Sequence, residues 1–223
     1  MVVLSILAHQ TERAVRSELP ITNYPQPSDL KTVISNFILL TKPWIVALLL
    51  VTTLGAMLVA QRGLPQLDLV FFTLLGGACA AGGANALNSY FDREKDKVMA
   101  RTSQRPLPTG RITPRAALAF GLTLCVLSIL IYLVFVNGLS AILSTAGIVY
   151  YAGIYTLWLK PRTPQNVVIG GAAGALPPLV GWAAVTNDVS LFYFSFLIVF
   201  CVFRRIRRAL MYIPRIINVS ASR

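Results

Sequence analysis

The sequence predicts an all-α bundle of membrane-spanning helices, and three observations carry that expectation. The chain is 56% hydrophobic and 13% charged, against about 25% charged in a typical soluble domain. Its uncharged stretches are long enough to cross a bilayer. Its basic residues fall almost entirely in alternate loops. The net charge of +12, from 20 Lys+Arg against 8 Asp+Glu, would suggest a nucleic-acid partner in a soluble protein. Here the charges follow the loops of a membrane protein, so no nucleic acid is expected. The composition also excludes a disordered chain, a collagen-like fibre and a disulfide scaffold. The three cysteines, Cys79, Cys125 and Cys201, each lie in an apolar run and read as fillers.

Pro43 to Gln61 and Leu69 to Phe91 are free of charge and give the first two spans. Ala116 to Leu159 is a single uncharged run. As one helix it would extend about 66 Å at ~1.5 Å per residue, more than twice the ~30 Å of a hydrocarbon core. It must therefore be two spans, and Asn137-Gly138 near its middle is the natural turn. Thr163 to Asn187 holds a fifth, glycine-rich span broken by Pro177-Pro178. Val189 to Phe203 gives a shorter sixth.

The basic residues set the orientation. Four Lys/Arg precede the first span, seven lie between the second and third, two between the fourth and fifth, and six in the tail. The opposite loops hold only Arg62. The positive-inside rule then predicts six spans with both termini cytoplasmic. Val2 to Ala8 is too short, and lacks the flanks, to read as a secretory signal. The expected organisation is a flexible cytoplasmic segment over 1–35, a transmembrane region over 36–203 and a basic tail over 204–223. His9, isolated near the terminus, is expected to have no catalytic or ligand role.

The second span runs through Gly76-Gly77 and Gly82-Gly83 into Asn85 and then Asn88-Ser-Tyr-Phe-Asp92-Arg-Glu-Lys-Asp96. Asn88, Asp92 and Asp96 are spaced i, i+4, i+8, one stripe on a continuing helix. Like charges four apart repel by a few tenths of a kcal/mol, so the stripe makes sense against a hard cation. Mg²⁺ takes one or two carboxylates and completes its shell with water and phosphate. Arg101 and Arg105 follow, planar forks suited to phosphate oxygens. The opposing interpretation is a positive-inside loop with a few solvated acids; the ordered spacing and the glycine-rich approach favour function.

The run Asn88-x-x-x-Asp92-x-x-x-Asp96-x-x-Met99-x-Arg101-Thr102-x-x-Arg105-Pro106-Leu107-x-x-Gly110-x-Ile112 resembles the first Asp-rich motif of the UbiA-type intramembrane prenyltransferases. Tyr155 through Thr186 resembles the protoheme IX farnesyltransferase branch of that family more than its quinone or chlorophyll branches, and Thr41-Lys42-Pro43 also fits. The resemblance covers roughly residues 36 to 187. It implies a UbiA-type bundle, of which this chain holds about six of nine spans, with a cavity open to the cytoplasm. It implies transfer of a farnesyl group from farnesyl diphosphate to a vinyl group of haem B, giving haem O for terminal oxidase biogenesis. Asn88, Asp92 and Asp96 would bind the diphosphate through Mg²⁺, with Arg101, Arg105 and Lys160 taking its charge. The bacterial inner membrane, or its equivalent, is the implied location, and haem-handling or oxidase-assembly proteins are the implied partners. Two alternatives stay open: a sister prenyltransferase with an aromatic acceptor, and a catalytically inactive membrane protein.

Gly170-Gly171, Gly174 and Pro177-Pro178 admit two interpretations, tight packing with a proline kink or the lining of a haem cavity, and packing is favoured. Tyr150, Tyr151, Tyr155 and Trp158 read as an interfacial aromatic belt, with Tyr155 as a diphosphate or haem contact the sharper alternative. Asp68 and Asp188 fall on the outer side, away from any metal.

The family pattern fails at the tail. The second Asp-containing motif and the Pro-Pro-His segment expected there are absent, and Arg204-Arg205-Ile-Arg207-Arg208 and Arg215-Ile-Ile-Asn218 stand instead. A shifted reading frame accounts for both. Phe203 to Ile206 as TTC CGC CGC ATT, read from the third base, gives Pro-Pro-His. Arg215 to Val219 as CGG ATT ATA AAC GTT gives Asp-Tyr-Lys-Arg at the same offset. The chain is therefore expected to depart from the fold after about residue 200.

Overall fold

The computed structural model describes residues 29–159 and 173–189, and among these every regular element is helical. Helix α1, Leu30–Thr41, begins at Asp29, whose carboxylate accepts from the Lys31 amide, and buries Asn36 and Leu40. It straddles the boundary expected at residue 35. The capped start and the packing of Phe37 on Phe120, ring centroids 5.0 Å apart, extend order upstream of the first charge-free run. Lys42, with φ 56° in the left-handed region, turns the chain, and Pro43 opens α2, Pro43–Gln61. Proline suits a first helical position because that amide has no intrahelical partner.

Helix α3, Leu67–Val98, has 32 residues and a length of about 48 Å at ~1.5 Å per residue. That exceeds the ~30 Å hydrocarbon thickness, so its last turns carry Asp92 and Asp96 past the apolar layer. Helix α4, Pro114–Phe135, is capped by the Thr113 hydroxyl, which accepts from Ala116 at 3.3 Å. Asn137 then breaks the long apolar run where the sequence predicts: its side-chain oxygen accepts from the Ser140 amide at 2.8 Å and caps α5, Gly138–Ile148. The same side chain donates to the carbonyl of Ala183 at 2.9 Å, tying this turn to the end of α6, Leu176–Thr186. Helix α5 continues without a break as a π-helix, π1, Val149–Leu159.

Among the described residues, four helices are long and apolar enough to cross a membrane: Pro43–Gln61, Leu67–Val98, Pro114–Phe135 and Gly138–Leu157. The second half of the expected fifth span is α6. Its first half, the sixth span, the basic tail, Lys160, Cys201 and His9 lie outside the described residues.

Helix α3 packs most extensively on α4, and α2 on α6. Both contacts depend on glycine. A Cβ at Gly83 would stand 2.7 Å from the Cys125 sulfur and 2.9 Å from the Gly121 carbonyl; one at Gly181 would stand 2.5 Å from the Thr53 carbonyl. Small residues let backbones approach where the lipid supplies no hydrophobic force between helices. Hydroxyls then bridge them: Ser128 donates to the Gly76 carbonyl at 2.8 Å and Tyr132 to the Thr73 carbonyl at 3.0 Å.

Candidate active site

The C-terminal half of α3 is buried from Gly82 to Ser89 and again at Asp92 and Asp96. Asn88, Asp92 and Asp96 retain only 5%, 3% and 5% of their exposure. A buried carboxylate is costly unless it is paired and hydrogen-bonded, and the neighbouring elements supply the partners. The Asn88 amide donates to Asp92 Oδ2 at 3.1 Å and to the Thr156 hydroxyl of π1 at 3.0 Å. Lys42 Nζ, at the α1–α2 turn, donates to Asn88 Oδ1 at 3.0 Å. Arg105 pairs with Asp96 Oδ2 at 2.8 Å. The Thr102 hydroxyl donates to the Asp96 carbonyl at 3.0 Å and fastens the loop to the end of α3.

The polar stripe is thus a built cluster in which two anions face two cations. The predicted residues Asn88, Asp92, Asp96 and Arg105 come together in it. Arg101 is exposed and forms no ion pair with either carboxylate, and Lys160 lies outside the described residues. Asp68, at the opposite end of α3, is remote from the cluster, as expected.

Lys42, Asn85 and Thr156 are contributors that sequence reasoning did not assign. Lys42 is 46 positions from Asn88 and Thr156 is 68, and no spacing rule reaches that far. Their prior signals were location and the family resemblance: Lys42 closes the segment before the first span within Thr41-Lys42-Pro43, and Thr156 sits near the end of the fourth in the run that begins at Tyr155. The π-helix has a visible part in this. The Thr156 hydroxyl donates back to the Tyr151 carbonyl five residues earlier, at 2.7 Å, while accepting from Asn88.

One helical turn further into the bundle, Asn85 donates to the Thr41 carbonyl at 3.0 Å and its oxygen lies 3.5 Å from the Tyr151 hydroxyl. Asn85 and Tyr151 also form the polar rim of an apolar cavity of about 240 Å³. Its wall comes from α2, α3, α5 with π1, and α6, and includes Ile45, Ala81, Ile148 and Leu176. Gly174 and Pro177 line it. The sequence favoured helix packing for that pair, and the structure corrects this, because α6 begins at Leu176 and turns its first residues toward the space between α3 and α5. Gly170-Gly171 lie outside the described residues. Tyr151 lines the cavity, and Tyr155 stacks on it with ring centroids 5.6 Å apart.

The sequence profile of the UbiA prenyltransferase family matches residues 49–209, most of the chain and all of the polar cluster except Lys42. The chain belongs to the UbiA prenyltransferase family. It is 55% identical over 161 residues to the protoheme IX farnesyltransferase of Chloroflexus aurantiacus, covering 72% of this chain and 27% of that protein. It is 54% identical over 154 residues to that of Streptomyces avermitilis, covering 69% and 50%, and 51% identical over 163 residues to that of Trichodesmium erythraeum, covering 73% and 50%. The chain spans about half the length of such relatives, or less. The structure of a UbiA homologue from Archaeoglobus fulgidus bound to GPP and Mg²⁺ superposes with a TM-score of 0.62 at 20% identity, over 78% of this chain and 62% of that one. That likeness establishes the all-helical UbiA fold, and with the four spans it makes this an integral membrane protein.

The donor set in this UbiA chain suits a hard cation. Asp92 and Asp96 offer oxygens on one helix face beside the Asn88 carboxamide, and among the described residues no cluster of three His, Cys, Asp or Glu competes with them. Two carboxylates with the remaining positions left to water and phosphate is the usual arrangement for Mg²⁺.

Proposed function

We propose that this chain carries the diphosphate-binding half of a prenyltransferase that joins the farnesyl group of farnesyl diphosphate to a vinyl group of haem B, giving haem O. One observation carries the proposal: a buried, charge-balanced cluster of Asn88, Asp92, Asp96, Lys42 and Arg105 stands one turn beyond the polar rim of an apolar cavity. A prenyl diphosphate has the same polarity, an anionic head on an apolar chain. The relatives' name, protoheme IX farnesyltransferase, supports farnesyl and haem B rather than an aromatic acceptor.

In this reading Asn88, Asp92 and Asp96 hold Mg²⁺ on the diphosphate, where it would neutralise charge on the departing group. Lys42 and Arg105 present fixed cations that are worth most as the allylic C–O bond breaks and the electron pair leaves with the diphosphate. Arg101, exposed on the loop, and Lys160 add positive charge for the diphosphate. The apolar wall keeps water from the farnesyl cation until its C1 has bonded to the vinyl carbon. A water oxygen then adds to the adjacent carbon and releases its proton. The basic loops support a cytoplasmic N-terminus and cytoplasmic diphosphate loop in a bacterial inner membrane, with haem-handling or oxidase-assembly proteins as partners.

The test is a graft. Residues 36–187 replace their counterpart in the Streptomyces avermitilis relative, and haem extracts are analysed by chromatography and mass spectrometry. Haem O formation is expected; haem B alone from a correctly inserted graft would reject the assignment. The 223-residue chain by itself is expected to yield little or no haem O.

We also propose that residues 204–223 are read in a shifted frame, on the strength of an arginine-rich, acid-free segment where the family places acids. Nucleotide sequencing across the codons for Phe200 to Arg223 decides it. The shifted frame should continue through Pro-Pro-His and Asp-Tyr-Lys-Arg, and an early stop would reject it.

A further inference from the structure

The cavity has a direction. Its lining runs from Ile45 to Thr53 on α2, from Asn85 to Gly77 on α3, and from Tyr151 to Leu143 on π1 and α5. Each stretch covers eight residue steps, about 12 Å at ~1.5 Å per residue. Asn85 and Tyr151 mark the end next to the Asn88–Asp92 cluster, and Thr53, Gly77, Leu143, Ser144 and Tyr132 mark the other. Among the described residues the lining thus runs about 12 Å inward from the polar cluster.

Tyr132 stands at the far end, and it is held rigidly. Its side chain is 1% exposed, and its hydroxyl donates to the Thr73 carbonyl at 3.0 Å. Its ring lies against the bare face of Gly76, where a Cβ would come within 3.0 Å of the ring. Gly77 leaves the last space open: a Cβ there would stand 3.3 Å from the Tyr132 hydroxyl and 3.3 Å from Leu50. Below that level α6 closes on α2 at Gly181 and Thr53. An extended chain with carbon–carbon bonds of about 1.5 Å covers ~12 Å in about ten bonds, the main-chain length of a farnesyl group to within a bond or two.

We propose that Tyr132, seated on Gly76 and Gly77, is the floor of the isoprenoid tube and sets the longest prenyl chain that the site accepts. The inference rests on the prenyl diphosphate reading above and adds its specificity determinant. A side chain acting as a length stop must shift preference in opposite directions when the floor is lowered and when it is raised. General destabilisation cannot do this, because it weakens every chain length together. Lowering the floor is Tyr132→Ala, which empties the end of the tube. Raising it is Gly77→Ala, which places one methyl group above the tyrosine hydroxyl.

The experiment measures competition of geranyl, farnesyl and geranylgeranyl diphosphates for the full 223-residue chain in lipid nanodiscs with Mg²⁺, against radiolabelled farnesyl diphosphate. Tyr132→Ala should raise the affinity of geranylgeranyl relative to farnesyl diphosphate at least tenfold. Gly77→Ala should lower farnesyl relative to geranyl diphosphate by a similar factor. If Tyr132→Ala does not fold, the Gly77→Ala ratio alone decides. Ratios unchanged in the folded variants, with the parent chain binding farnesyl diphosphate, overturn the floor and leave the proposed function standing. A parent chain that binds none of the three overturns the proposed function itself.

Discussion

Between Leu67 and Ala84, α3 meets its neighbours with glycines, a cysteine and backbone carbonyls that accept from Ser128 and Tyr132. Between Asn85 and Val98 the same helix meets them with a carboxamide stripe and two buried carboxylates, answered by Lys42, Thr156 and Arg105. Both halves are tightly packed, but for different reasons. In the inner half, closeness yields van der Waals contact and hydrogen bonds of modest worth. In the C-terminal half, closeness is required to keep burial of charge tolerable. The inner half should therefore respond to volume, and the C-terminal half to charge.

The largest effect separates chemistry from packing. In the graft, Asp92→Asn or Asp96→Asn should lower haem O formation by about 100-fold or more, the scale of losing charge stabilisation at a departing anion. Near-normal turnover would sink the metal assignment. Next, Arg105→Ala leaves Asp96 buried without its guanidinium. Unfolding in detergent should register a loss of about 2 kcal/mol, the order expected for an unsatisfied buried charge. Adding Asp96→Asn should recover part of that loss, and a strictly additive pair would show that the ion pair is not the cause.

On the inner half, Gly83→Val forces a side chain into the Cys125 sulfur and the Gly121 carbonyl. It should cost roughly 1–3 kcal/mol as overpacking, read as a lower detergent unfolding midpoint; an unchanged midpoint would mean that α3 and α4 can separate freely. Ser128→Ala removes the hydroxyl bond to Gly76 and should cost only about 0.6 kcal/mol by the same assay, as membrane hydrogen bonds usually do. The smallest stability effect belongs to Arg101→Ala. That exposed residue should leave the midpoint within about 0.5 kcal/mol, while farnesyl diphosphate affinity, measured in parallel, falls. An equal affinity would remove Arg101 from the diphosphate site.

The legible part of the fold was the part written in composition along the chain. Pro43–Gln61 coincides with its uncharged run, and Asn137-Gly138 divides the long run because asparagine can cap the next helix and glycine can begin it. The stripe of Asn88, Asp92 and Asp96 was legible because i, i+4 spacing on one helix is a local property. Helix α1 was missed, since its apolar residues are interrupted by polar ones and its charge-free run, Thr32 to Thr41, is too short to read as a span. The role of Gly174 and Pro177 was misjudged because a residue type alone does not say whether its free side faces a helix or a cavity.

By itself, the sequence determined the first four spans, the turn at Asn137, the acidic stripe and the family. Each of these rests on hydrophobicity, helical period or a motif, all short-range along the chain. Only the tertiary structure decided that Lys42 and Thr156 meet Asn88, that Arg105 takes Asp96, and that Asn85 and Tyr132 line one apolar cavity. These contacts join residues up to 68 positions apart. They exist because glycine-mediated packing fixes the helices in register, and that depends on how helices fit together rather than on any one segment.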